Sequence, residues 1–287
     1  MPREVPGRGR TEEDGPRGAY GFALRGVEGA EELLVDAPAS WPLLEVVRTT
    51  GSEAPPLDRL GDDRAELRLH GGGCIRIARS PLRATFATPS PLADAELVHP
   101  LLGAAAAVAA HWLGREAFHA GAVLLDRGAW GLVGERGTGK SSTLAWLGLH
   151  GADVLSDDLL VLEATTVFAG PRSVDLRAEP AAQLGAGEHL GRLGSRERWR
   201  VRLSAVPPEL PLRGWVLLGW GDRLDMRRLP GGVRLTELAR QRAVKVPPLH
   251  PQSLLELAAL PAWELRRPRR WSSLEEAAGL LLGTVEA

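Results

Sequence analysis

The chain has one cysteine, Cys74, in 287 residues. A single thiol excludes an intrachain disulfide and any zinc site built from several cysteines. The seven histidines are scattered, and none falls in an H-E-x-x-H pattern, so the helical zinc-protease arrangement is absent as well. Lysine is nearly missing: Lys140 and Lys245 are the two in the chain, and arginine supplies the other 33 of the 35 basic residues. Those arginines are dispersed among acids and the net charge is −1, so nothing draws the whole chain toward nucleic acid. Long apolar runs are absent too. The longest, Leu101 to Ala110, is alanine-rich and falls well short of the ~20 residues that a membrane helix needs. The first eighteen residues lack the apolar centre of a secretory signal, which makes the cytoplasm the expected location.

The residues that are present suit a globular protein: 44% are hydrophobic and 25% charged. Residues 1–18, rich in charge, Gly and Pro, read as a disordered tail. Residues 19–100 read as a small β-rich domain. Ala65, Leu67 and Leu69 alternate with polar residues, Gly71-Gly72-Gly73 turns the chain, and Cys74 to Arg79 returns. Arg83 to Thr88 suits a third strand, and Glu32 to Asp36 and Leu43 to Arg48 are weaker candidates. The remainder, 101–287, opens with an expected helix over Leu101 to Phe118. A hairpin follows, Ala122 to Asp126 and Ala129 to Val133, turned at Asp126-Arg127-Gly128. Later, Leu212 to Gly219 and Leu224 to Leu229 read as a β pair. Ser253 and Ser272 open capping boxes of two helices, and the stretch from about Gly185 to Arg200 reads as a mobile loop.

Between the expected hairpin and a helix-like run lies Gly134-Glu135-Arg136-Gly137-Thr138-Gly139-Lys140-Ser141-Ser142, a full G-x-x-x-x-G-K-S phosphate-loop pattern. Glycines let the backbone wrap an anion with successive N–H groups inward, and a helix start adds its positive end. Lys140 is expected to reach the terminal phosphates and Ser141 to hold Mg²⁺. In a chain that uses arginine almost everywhere, lysine stands where a compact ammonium must enter the loop. A hairpin is an unusual lead into such a loop, because a strand of a parallel sheet is the common one.

Sixteen and seventeen residues past Ser141 come Asp157 and Asp158. Phosphoryl transfer to a hydroxyl needs a metal ligand and a carboxylate to take the proton. Neighbours on a strand point to opposite sides, so both acids can serve one site only where the backbone turns. Arg172, Arg177 and Arg198 are candidates to neutralise the transferred phosphate, and His119 stands alone at an expected helix–strand junction.

The set HAGAV, GERGTGKS and SDD, with 15 residues from His119 to Gly134 and 16 from Ser141 to Asp157, resembles the HPr kinase/phosphorylase and related-kinase family. The acidic Glu135 at the second loop position fits as well, and the shared core spans about residues 100–178. The resemblance implies an α/β (α+β) fold like that of phosphoenolpyruvate carboxykinase, with a mixed, largely antiparallel sheet around the loop. It implies ATP and Mg²⁺ as cofactors and a set of roles. Asp157 would be the general base on a serine hydroxyl, and His119 would position or tune it. Asp158 and Ser141 would bind Mg²⁺, and Lys140 would stabilise the transferred phosphoryl group. Beyond the acids the family's long Gly- and Ile-rich signature is missing, and Gly170-Pro171-Arg172-Ser173-Val174-Asp175-Leu176-Arg177 stands instead. That departure resembles the HPr-kinase-like proteins of lasso-peptide gene clusters. It implies a peptide or protein acceptor, with no nucleic acid or membrane partner and room for a homo-oligomer. Two other readings stay open: a small-molecule kinase on the same fold, and a nucleotide-binding regulatory module that transfers nothing.

Overall fold

The computed structural model describes residues 15–125, 128–193 and 196–285. It is a mixed α/β structure. Its first sheet has eight strands: β1 (Arg17–Ala19), β2 (Phe22–Arg25), β3 (Val35–Asp36), β4 (Leu43–Thr50), β5 (Arg59–Leu60), β6 (Arg64–Arg68), β7 (Cys74–Ala78) and β8 (Arg83–Thr88). The alternating run behaves as its pattern dictates. Leu67 pairs across to Ile75 and Ala65 to Ile77, with Gly72 and Gly73 turning the chain. Strand structure begins at Arg17, inside the segment read as a tail, whose residues 1–14 lie outside the described residues. The expected strand at Glu32 to Asp36 is shortened at its start: Glu32 and Leu33 close a short helix, Glu28–Leu33, Leu34 is extended, and Val35–Asp36 forms the strand.

The chain leaves this sheet through α1 (Asp94–Glu96) and α2 (Leu102–Trp112). Helix α2 is shorter than expected. Gly114 takes a left-handed φ of +76° and breaks it, and Glu116–Phe118 then becomes a strand, β9.

A second sheet follows, built from β9, β10 (Gly121–Leu125), β11 (Gly128–Val133), β12 (Val154–Ser156), β13 (Leu160–Glu163), β14 (Thr166–Phe168), β18 (Glu209–Trp220), β19 (Asp225–Arg228) and β20 (Ala262–Arg267). A third, small sheet is built from β15 (Ser173–Leu176), β16 (Glu188–Leu193) and β17 (Arg196–Arg202). Around the second sheet stand helices α3 (Lys140–Leu149), α5 (Gly231–Gln241), α6 (Pro251–Ala259) and α7 (Ser272–Val285), while α4 (Ala178–Leu184) packs on β17 of the third.

Strand β11 carries the loop. It is antiparallel to β10 and parallel to β18, so the hairpin lead is real and one edge still has the common parallel neighbour. The hairpin's turn residues Asp126 and Arg127 lie outside the described residues. All six residues of β11 are buried, because both faces of the sheet are covered. Trp130 and Leu132 face a core with Leu144 and Leu147 of α3 and Leu281 of α7. Ala129 and Val133 face the other way, onto Leu238 of α5 and Leu257 of α6.

Three expectations are corrected here. Strands β18 and β19 are not a pair, since β20 lies between them, parallel to one and antiparallel to the other. Helix α6 starts at Pro251, whose ring fits the first turn, so Ser253 sits inside the helix rather than capping it. The segment from Gly185 to Arg200 is largely a hairpin, β16 with β17.

Candidate active site

Residues Gly134 to Gly139 connect β11 to α3. Gly137 and Gly139 take φ of +91° and +92°, a region that disfavours side chains, and this folds the loop back over the start of α3. Thr138 ties the loop together by donating from Oγ1 to the Glu135 carbonyl at 2.8 Å. The Lys140 ammonium lies within the loop, donating to the Gly134 carbonyl at 2.6 Å. Burial pushes its pKa down, while Asp157 and Asp158 oppose that shift. Glu135 and Arg136 are exposed at the loop's outer edge, Ser141 is half-buried and Ser142 buried.

The acids follow β12, which pairs with β10, the neighbour of the loop's strand β11. Leu159 N–H bonds the Asp157 carbonyl at 2.8 Å across a three-residue turn, and Asp158 at its centre has φ +66°. A positive φ at a non-glycine residue is strained, and here it performs the expected reorientation. Both carboxylates approach the same point: oxygens of Asp157 and Asp158 and a ring nitrogen of His99 lie within 4.8 Å of one another.

Asp157 is 1% exposed. Its Oδ1 accepts from Ser141 Oγ at 3.0 Å, and its Oδ2 is buried without a hydrogen-bond partner among the described residues. Burial and then the charge of Asp158 raise its pKa well above the carboxylate range, against the Ser141 bond. His119 does not touch the Asp157 carboxylate. Its Nδ1 lies 3.0 Å from the Asp158 carbonyl oxygen, which can only accept, so Nδ1 carries the proton. Burial and Lys140 lower the pKa of His119. The role that fits is holding the acidic turn in place.

Behind the acids is a cluster absent from the sequence reading. Asp175 on β15 is paired directly across from Arg200 on β17, and the guanidinium grips it at 2.8 and 3.1 Å. Arg200 also donates to the His99 carbonyl at 2.6 Å, and His99 Nε2 lies 3.8 Å from Asp175. Arg198, two residues along the same strand, reaches Asp175 at 3.6 Å. Tyr20, from the turn between β1 and β2, closes this region. Burial and the charges of Asp158, Asp157 and Asp175 keep its phenol protonated. The available signal was the alternation Arg198-Trp199-Arg200-Val201-Arg202, a strand pattern with one basic face.

Of the three candidate arginines, Arg198 is therefore the one that reaches the acidic cluster. Arg172 is bonded to the carbonyls of Leu203 and Ser204. Arg177, expected to act on the phosphoryl group, is exposed at the start of α4 and shares no hydrogen bond or ion pair with the acids.

The donor set fits a hard divalent cation. The Asp158 carboxylate and the Ser141 hydroxyl supply oxygen ligands, and the Asp157 carboxylate converges on the same point.

Fold and site together define a mixed α/β chain with a glycine-rich strand–loop–helix and a buried acidic turn beside it. No family model matches the sequence. No curated protein matches it either. Among solved structures, it is similar to the Hpr(Ser) kinase/phosphatase from Coxiella burnetii, with a TM-score of 0.32 and 11% identity over 59% of this chain and 96% of that one. A backbone likeness at that level leaves the functional reading to the side chains.

Proposed function

We propose that this chain is an ATP- and Mg²⁺-dependent kinase that transfers the γ-phosphoryl group to a hydroxyl, a serine of a peptide or protein. The observation that carries the reading is the meeting of loop and acid: Ser141, next to the loop lysine, bonds Asp157, whose second oxygen is left free. A carboxylate of raised pKa is a better proton acceptor than an ordinary one. In the proposed step the acceptor hydroxyl forms the new O–P bond, its proton goes to Asp157 Oδ2, and the bond from the γ-phosphorus to the bridging oxygen breaks to release ADP. Lys140, from the loop, and Arg198, from the cluster behind the acids, would offset charge on the phosphoryl oxygens. Mg²⁺, held by Ser141 and Asp158 with Asp157 adjacent, would neutralise charge on the ATP phosphates. His119 fixes the turn through the Asp158 carbonyl.

A small-molecule hydroxyl is the second reading, favoured by the burial of Asp157 at 1% exposure, which demands a slim acceptor. A phosphoacceptor screen read by mass spectrometry tests both. A phosphorylated peptide serine supports the first, and a phosphorylated metabolite supports the second. ATP binding with no acceptor at any concentration would favour a regulatory module over either. Lys140→Ala and Asp157→Asn are the controls: the first is expected to abolish transfer and the second to cut it by orders of magnitude.

A further inference from the structure

Arg267, at the end of β20, is 7% exposed. Its Nη1 donates to the Arg270 carbonyl at 3.2 Å and to Ser273 Oγ at 3.0 Å, both neutral acceptors. No carboxylate among the described residues pairs with it. Burial pushes its pKa down with no acid to oppose the shift. A buried cation without an anion is costly, and folds retain one where something else supplies the charge.

Its position suggests what supplies it. A Cβ placed on Gly139, the last glycine of the loop, would stand 3.0 Å from Arg267 Nη2 and 3.6 Å from the Trp220 ring. Trp220 ends β18 and donates Nε1–H to the Gly137 carbonyl at 3.2 Å. The Arg267 guanidinium lies 4.5 Å from the centre of that ring, and the exposed Arg269 guanidinium 5.8 Å from it.

The strand order gives a direction. Across the sheet at the loop run β12, β10, β11, β18 and β20. The acidic turn follows β12 on one flank, whereas Trp220 and Arg267 end β18 and β20 on the other. A polyphosphate whose reacting end faces Asp157 must extend its other end toward Trp220 and Arg267. Strand ends beside a parallel pair are also where open α/β sheets bind ligands.

We propose that Arg267 and Trp220 form the subsite for the nucleoside end of a nucleoside di- or triphosphate. Arg267 pairs with a non-transferred phosphate, and Trp220, with Arg269 beside it, stacks the base. The inference rests on the loop holding a nucleotide, and the test separates the two claims. ATP and inorganic tripolyphosphate are titrated calorimetrically, with Mg²⁺, into the full chain and its variants.

Arg267→Gln is expected to weaken both ligands tenfold or more, through loss of a charge-assisted contact. It should leave the ligand-free melting temperature unchanged or higher. Trp220→Ala is expected to weaken ATP about tenfold, in line with the worth of base stacking, and tripolyphosphate less than about twofold. Arg267→Lys keeps the charge and serves if the glutamine variant misfolds; it should retain most tripolyphosphate affinity. Wild-type-like binding by Arg267→Gln, with Lys140→Ala binding lost, overturns the subsite and leaves the loop reading standing. Equal loss of both ligands in Trp220→Ala overturns the stacking role. A wild-type chain that binds neither ligand overturns loop and subsite together.

Discussion

At the scale of single residues, Asp157 is under two opposed demands. Catalysis wants a carboxylate ready to accept a proton, and burial makes the ionised form costly. Because its folded pKa is raised, the unfolded chain gives up this proton first. The group's stabilising contribution is therefore fully present below the ordinary carboxylate pKa of about 4, and is lost as pH rises through the folded value. Asp157→Asn removes that penalty. In metal-free protein its melting temperature should exceed the wild type's at neutral and alkaline pH, with the gap closing on acidification; a lower melting temperature throughout would contradict the assignment. The same substitution should cut transfer by roughly 10²–10⁴-fold, the usual worth of a general base, while ATP binding persists. Arg198→Met should lower kcat with little effect on the affinity for ATP, because Arg198 pairs with Asp175 in the cluster behind the acids; equal losses in kcat and ATP affinity would move it elsewhere.

At the scale of elements, the hairpin of β16 and β17 is what brings Arg198 and Arg200 to Asp175. Asp175 and Arg200 are both buried, with side chains 0% and 1% exposed. Removing one partner strands the other, so Asp175→Ala should cost about 3–5 kcal/mol of stability by urea titration. Replacing both by apolar residues of similar size should recover most of that loss, and a double variant no better than the single one would argue against the ion pair as the cause. This pair also marks the limit of reading the sequence. The loop was legible because its chemistry is contiguous, from Gly134 to Ser142. The acidic turn was legible because Asp157 and Asp158 are adjacent, so that only a backbone bend could unite them. His99, Asp175, Arg200 and Tyr20 meet only through register and packing, which no local pattern encodes, and reading the hairpin as a loop hid the one periodic signal that was present. Nor did adjacency to the strand reveal that Arg177 lies exposed beyond the strand's end.

At the scale of the whole molecule, the first sheet is coupled to the rest. Its core residues Phe22, Leu44 and Phe86 join one cluster with Ala105 and Val108 of α2, Leu159 and Val161 near the acidic turn, and Phe168. Tyr20 N–H bonds the Ala169 carbonyl at 2.7 Å. Residues 101–287 made alone would uncover those apolar side chains. The full chain should unfold in one transition, with near-UV dichroism and tryptophan fluorescence coinciding, and the fragment should melt far lower or aggregate. Two separate transitions, with the fragment keeping the upper one, would show an independent second domain.

The scarcity of lysine gives the same chain an unusual experimental property. Its two side-chain amines occupy opposite situations, Lys140 enclosed by the loop and Lys245 exposed on the surface. Among side-chain amines, an acylating reagent therefore meets one open target and one shielded target. The order in which those two acquire label, followed by peptide mass, would report on the loop with no substitution made and no product assayed.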